Sequence, residues 1–89
     1  MKNLENLSIV IPSYGRQNLA LDTLNFWSKL HININIHLVD GSENPIESSK
    51  LSHFKKNIKY HHINIFSEIN RVRNILHLIN TKYCMIGAD

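Results

Sequence analysis

The chain predicts an α/β fold with a mostly parallel sheet, and two observations carry that expectation. Short β-branched runs alternate with amphipathic runs of helical period along its 89 residues, the pattern of βαβ units joined by crossovers. Apolar runs also stop at turn formers, first Pro12, then Asp40-Gly41, then Gly87. In such sheets ligands bind beyond the carboxyl ends of the strands, near the point where strand order reverses. The residues at those stops are therefore the first candidates for a site.

Taken in order, Leu7-Ser8-Ile9-Val10-Ile11 reads as a buried strand closed by Pro12. Ser13-Tyr14-Gly15 follows as a turn able to cap a helix. From Arg16 to Leu30, the residues Leu19, Thr23, Phe26, Trp27 and Leu30 fall on one helix face. Asn35 to Val39 is a second strand, and the alternation in Ile32-Asn33-Ile34-Asn35-Ile36 gives part of it one polar face. Pro45 is placed to open a short helix through about Phe54. Ile58 to His62 forms a third strand. Ser67 is a candidate cap for a third helix, with Ile69, Val72, Ile75, Leu76 and Ile79 on its apolar face. On that wheel Arg73 lies beside Ile69 at the edge of the stripe, and Arg71 points to solvent. Tyr83 to Gly87 is a fourth apolar strand, followed by Ala88 and Asp89.

Composition bounds the function. Hydrophobic residues make up 43% of the chain, enough for a core, and the length allows one domain. Ten basic against seven acidic residues leave +3, a mild and scattered excess that suits phosphate groups without singling out nucleic acid. Cys84 is the only cysteine, so no internal disulfide is available, and its apolar neighbours read as a buried structural thiol. Met1 to Asn6 is polar, without the apolar stretch of a signal peptide, and no run reaches transmembrane length. A soluble cytoplasmic protein is the expectation, which makes the sequon Asn6-Leu7-Ser8 a chance match.

Each strand end carries chemistry. Pro12-Ser13-Tyr14-Gly15-Arg16 places a glycine-containing turn at a helix start, where backbone N–H groups face a phosphate or ribose; most such turns only cap. Neither a G-x-G-x-x-G dinucleotide fingerprint nor a P-loop is present. Asp40 can accept a hydrogen bond from a nucleobase or ribose, with Gly41 allowing close approach of the ligand; the plainer reading is a turn aspartate. Arg73 can reach over the rim towards a pyrophosphate. His61 and His62 are adjacent on a strand and point to opposite faces, so they do not chelate one ion together. Asp89 is a candidate ligand for Mg²⁺ or Mn²⁺.

These residues together resemble family 2-type glycosyltransferases with the GT-A fold. The segment from Leu7 to Arg16 is similar to that family's opening strand and turn. Ile36-His37-Leu38-Val39-Asp40-Gly41-Ser42 resembles its second-strand motif, Val72-Arg73-Asn74 its alanine-arginine-asparagine element, and Tyr83 to Asp89 the strand leading into its D-x-D motif. Gly15 stands where asparagine is common, and Val72 where a small residue is usual. The resemblance implies an incomplete three-layer α/β/α sandwich, Rossmann-like, with four mostly parallel strands in the order 3-2-1-4. It implies a nucleotide-sugar donor, UDP-linked by expectation, held by Pro12, Ser13, Tyr14, Arg16, Asp40, Gly41 and Arg73. It also implies a Mn²⁺ or Mg²⁺ ion at Asp89.

For a complete parent the resemblance implies transfer of a sugar to an acceptor hydroxyl, with the metal neutralising the leaving diphosphate. The rest of the acidic motif, the acceptor half and the catalytic base would lie beyond Asp89. The 89-residue chain is accordingly expected to bind nucleotide without transferring sugar, and to self-associate through an exposed fourth strand. Two other classes compete: a non-catalytic nucleotide- or partner-binding module, and a receiver-like signalling domain. The last is weakened by Pro12-Ser13 standing where an acidic pair would be expected.

Overall fold

In a computed structural model of the chain, residues 2–30 and 32–88 are described, with side chains from residue 6 onward except at position 32. The elements are β1 (Lys2–Ser13), α1 (Gln17–Lys29), β2 (Ile32–Asp40), β3 (Ile58–His62), α2 (Glu68–Ile75) and β4 (Tyr83–Ile86). The four strands form one sheet in the order β3-β2-β1-β4, and every neighbouring pair is parallel. The fold is therefore α/β with an all-parallel sheet, in the order that the resemblance implies.

Alternation along β1 sorts its side chains between two clusters. Ile9 and Ile11 join Ile34, Ile36 and Leu38 of β2 against Ala20 and Leu24 of α1. Val10 instead joins Val39 and packs on Ile75 of α2. Pro12 is unusual in a central strand because it donates no ladder hydrogen bond. It is tolerated here because the β1–β4 pairing stops at Val10 and Ile86, with the Gly87 N–H closing on the Val10 carbonyl at 2.8 Å. The side of β1 that would need a Pro12 N–H lies past the end of β4.

Three helix expectations need correction. The inward face of α1 centres on Ala20 and Leu24, with Leu21 and the expected Trp27 packed beside them, while Leu19 and Phe26 are 54% and 60% exposed. A stripe drawn through the largest apolar residues overlooked Ala20, whose small side chain lets the helix approach the sheet. The stretch after Pro45 forms a single 3₁₀ turn, Ser48–Lys50, rather than a helix to Phe54. Leu51 and Phe54 nevertheless pack on the core as loop residues. The third helix ends at Ile75 and tightens into a 3₁₀ turn, Leu76–Leu78. Ile69 and Leu76 stay exposed, so only part of the expected stripe reaches the sheet. Ser67 does cap α2, accepting from the Asn70 N–H at 3.4 Å. Cys84 is exposed on β4, not buried.

Among the described residues no helix is long and apolar enough to cross a membrane.

Candidate functional site: the carboxyl rim of the sheet

Asp40 ends β2 and is completely buried. Its Oδ1 accepts from the Ser42 N–H at 2.9 Å. Its Oδ2 accepts from Gln17 Nε2 at 2.9 Å and from the Tyr60 hydroxyl at 2.7 Å. One carboxylate thus ties together the turn after β2, the first turn of α1, and β3. Burial acts to raise its pKa, but the hydrogen bonds from Ser42, Gln17 and Tyr60 outweigh it and hold the group below its usual value. Burial pushes the Tyr60 hydroxyl up; the bond it accepts from the Ile46 N–H opposes this, and the Asp40 charge adds to it. Within the chain the carboxylate thus accepts from three donors and organises the rim.

Ser13 does not cap α1. The N-cap is Arg16, which makes no side-chain cap bond, so the first N–H groups of the helix keep no side-chain acceptor from it. The turn is held from across the rim instead: Ser42 Oγ accepts from the Gly15 N–H at 2.9 Å. Gly15 has φ 68°, a left-handed conformation that glycine adopts without a Cβ penalty. Ser13 is itself buried, and its Oγ has no hydrogen-bond partner. Gly15, Gln17, Asn18, Ser42, Glu43 and Asn44 surround an open cleft of about 330 Å³ between the two turns. Gln17 spans its floor, donating both to Asp40 and to the Asn44 carbonyl at 2.7 Å.

The arginines exchange the places that the helical wheel assigns. Arg71 is 3% exposed and reaches into the rim, donating from Nη1 to the Ile65 and Phe66 carbonyls at 2.8 and 2.7 Å. Its guanidinium lies 5.6 Å from the centre of the Tyr14 ring, and Tyr14 meets Phe66 edge-on at 5.2 Å. It also fills the space above Gly41, where a Cβ would stand 2.7 Å from Nη1 and 2.8 Å from Nε. The open backbone at Gly41 is thus occupied by Arg71, not left for a ligand. Arg73 is exposed. It borders a second cleft of about 330 Å³ with Pro12, Glu68, Ile69, Val72, Leu76 and Ile86. That cleft lies at the ends of β1 and β4, where strand order reverses.

His61 and His62 separate as their strand positions require. The His62 Nε2–H donates to the Ser42 carbonyl at 2.6 Å, bracing the rim. His61 turns to the other face and meets His37 of β2, Nε2 to Nδ1 at 2.9 Å, with rings nearly parallel. Burial, then the neighbouring His61 and Lys59, lower the His37 pKa to about 4. Burial and Lys59 lower that of His61.

Asp89, the candidate metal ligand, lies outside the described residues. Among the described residues no group of three or more His, Cys, Asp or Glu side chains could hold a metal ion.

Pro12, Ser13, Tyr14, Arg16, Asp40 and Gly41 thus gather on one rim; Arg73 stands at the adjoining cleft. Ser42 joins them as its place at the end of β2 implies, while Gln17, Tyr60, Phe66 and Arg71 belong to the same rim and are not evident from spacing. Gly41 is the one local signal for Arg71, since a glycine beside a strand-end aspartate marks a close approach.

No protein-family model, curated protein or solved structure matches the chain.

Proposed function

We propose that the chain is the donor-binding part of a GT-A glycosyltransferase, holding a nucleotide-sugar, UDP-linked by preference, at the carboxyl rim. The observation that carries this reading is the open polar cleft where the β1 and β2 turns meet an α1 N-terminus without a side-chain cap. Helix N–H groups there suit an anionic diphosphate. The rim also offers the exposed ring of Tyr14 for a base. The strand order and one helix against each face of β1 support the three-layer GT-A arrangement. Asp40 serves as the organiser of the base-proximal turn rather than as its reader. In such an enzyme the acceptor hydroxyl oxygen would bond to the anomeric carbon as its proton passed to a base and the bond from that carbon to the nucleoside diphosphate broke; a divalent cation, were one held by Asp89, would supply charge to offset that of the diphosphate.

Calorimetric titration with UDP, GDP and CDP, each with and without Mn²⁺, tests this. The expected result is binding of UDP over the other two, little changed by metal, without transfer of sugar from UDP-sugars by the 89-residue chain. Absence of binding by all three nucleotides would remove the reading. Binding that never leads to transfer in any longer form would favour the non-catalytic module.

The outer strand gives a second expectation. All four residues of β4 are exposed, and among the described residues β4 pairs only with β1. An uncharged edge with unpaired N–H and C=O groups favours pairing with another chain. Sedimentation velocity should show dimers or larger species growing with concentration. A single monomeric boundary throughout would show the edge to be covered.

A further inference from the structure

The guanidinium of Arg71 carries a charge that no carboxylate among the described residues neutralises. It is 3% exposed and always protonated. Its acceptors are two neutral carbonyls, both taken by Nη1, and Nε–H is buried with no acceptor at all. The Tyr14 ring gives a cation–π contact, and no carboxylate among the described residues pairs with Arg71. Asp40, the acid that ends β2, is committed to Ser42, Gln17 and Tyr60. A buried cation without a counter-charge is costly in a fold and persists where a charged ligand completes it.

The rings around this cation are surface side chains: Tyr14 and Phe66 are 45% and 81% exposed, and neither belongs to a core cluster. Arg71 itself stands over Gly41, and Tyr14 directly precedes Gly15 of the polar cleft. Ser13, whose backbone carbonyl accepts from the Gly41 N–H at 2.8 Å, contributes a second buried polar group without a partner, its hydroxyl.

We propose that Arg71 is an anion-binding residue: a phosphate or diphosphate oxygen of the ligand takes its free N–H groups in place of the Tyr14 ring. This deepens the nucleotide reading by assigning the charge-bearing contact to Arg71, and it makes Gly41 the residue that leaves the guanidinium its seat. Arg73 is exposed and makes no comparable claim.

Thermal shift and calorimetry with inorganic pyrophosphate, UMP and uridine test the assignment on the 89-residue chain and on Arg71→Met, Arg71→Lys, Gly41→Ala and Arg73→Met. Pyrophosphate should stabilise the wild-type chain, and Arg71→Met should lose at least about tenfold in its affinity, as expected for a charge-assisted contact. Arg71→Lys keeps the charge without the planar fork and should recover only part of it. Gly41→Ala displaces the guanidinium without removing it and should weaken pyrophosphate in the same direction, which guards against a folding defect in Arg71→Met. Arg73→Met should stay within about twofold. Without ligand, Arg71→Met should melt no lower than wild type, since the deleted charge was uncompensated. A lower melting point combined with unchanged pyrophosphate affinity would make Arg71 a structural brace and overturn the proposal. Pyrophosphate binding that depends on Arg71, with uridine unbound and UMP no tighter than pyrophosphate, would uphold the anion site and sink the nucleotide-sugar reading. Binding of UMP and uridine with equal affinity, both indifferent to Arg71, would do the reverse.

Discussion

Replacing Asp40 by alanine should destabilise the fold by about 2–4 kcal/mol and lower its melting temperature by roughly 10–25 °C. The carboxylate is fully buried and accepts from three donors that come from three separate segments. Its removal leaves the Ser42 N–H and the Tyr60 hydroxyl proton without their acceptor. The loss stays below the sum of three bonds because Gln17 keeps the Asn44 carbonyl and Tyr60 still accepts from the Ile46 N–H. Against a total stability on the order of 5–10 kcal/mol for a chain of this size, the loss is a large fraction. Asp40→Asn should cost about as much, since its amide nitrogen would face donors wherever it turned. Urea denaturation of both variants measures this, and a midpoint unchanged from wild type would remove the organising role. The sequence alone suggests that Asp40→Ala would weaken nucleotide binding with the fold intact. The buried geometry replaces that with a joint loss, so affinity must be measured where the variant is still folded.

The strands were legible because their signal is local. Ile58–His62 coincides with the expected third strand, and the runs around Val10 and Leu38 sit at the centres of β1 and β2. Each of these segments needs only β-branched density and a stop to be recognised. Gathering of the strand-end residues followed from topology, which the alternation of elements already implies. What was not legible depends on partners distant in sequence. Arg71 looks like a solvent-facing charge on any wheel; its burial requires the Ile65 and Phe66 carbonyls and the vacant Cβ position of Gly41. The face of α1 was misassigned for another reason. The residues of α1 that pack inward, Ala20, Leu21, Leu24 and Trp27, form a stripe offset from the one through Leu19 and Phe26, and Ala20 is too small to stand out in a ranking by side-chain size. Likewise the spacing of His37 and His61 carries no sign of their pairing, which arises only because β2 and β3 are in register at Val39 and His61.

That histidine pair sets the acid limit of the fold. In the folded chain the His37 pKa is lowered to about 4, first by burial and then by His61 and Lys59, from an ordinary value of 6.5. Above pH 6.5 the imidazole is neutral in both folded and unfolded chains, and its contribution to stability is fully present. As pH falls from 6.5 towards 4, the unfolded chain takes up a proton that the folded chain refuses, so stability falls by about 1.4 kcal/mol per pH unit. The loss approaches about 3 kcal/mol near pH 4. His61, shifted in the same direction, steepens this decline. Asp40, held below its ordinary value of 3.8, contributes stability that is lost only at lower pH, so the two effects occupy separate windows. Urea midpoints taken every half unit from pH 7.5 to 4.5 should therefore fall steadily below pH 6.5. His37→Gln, whose amide can donate to or accept from His61 but cannot titrate, should flatten the decline while leaving stability at pH 7.5 within about 1–2 kcal/mol of wild type. An unaltered slope in that variant would place the acid sensitivity elsewhere.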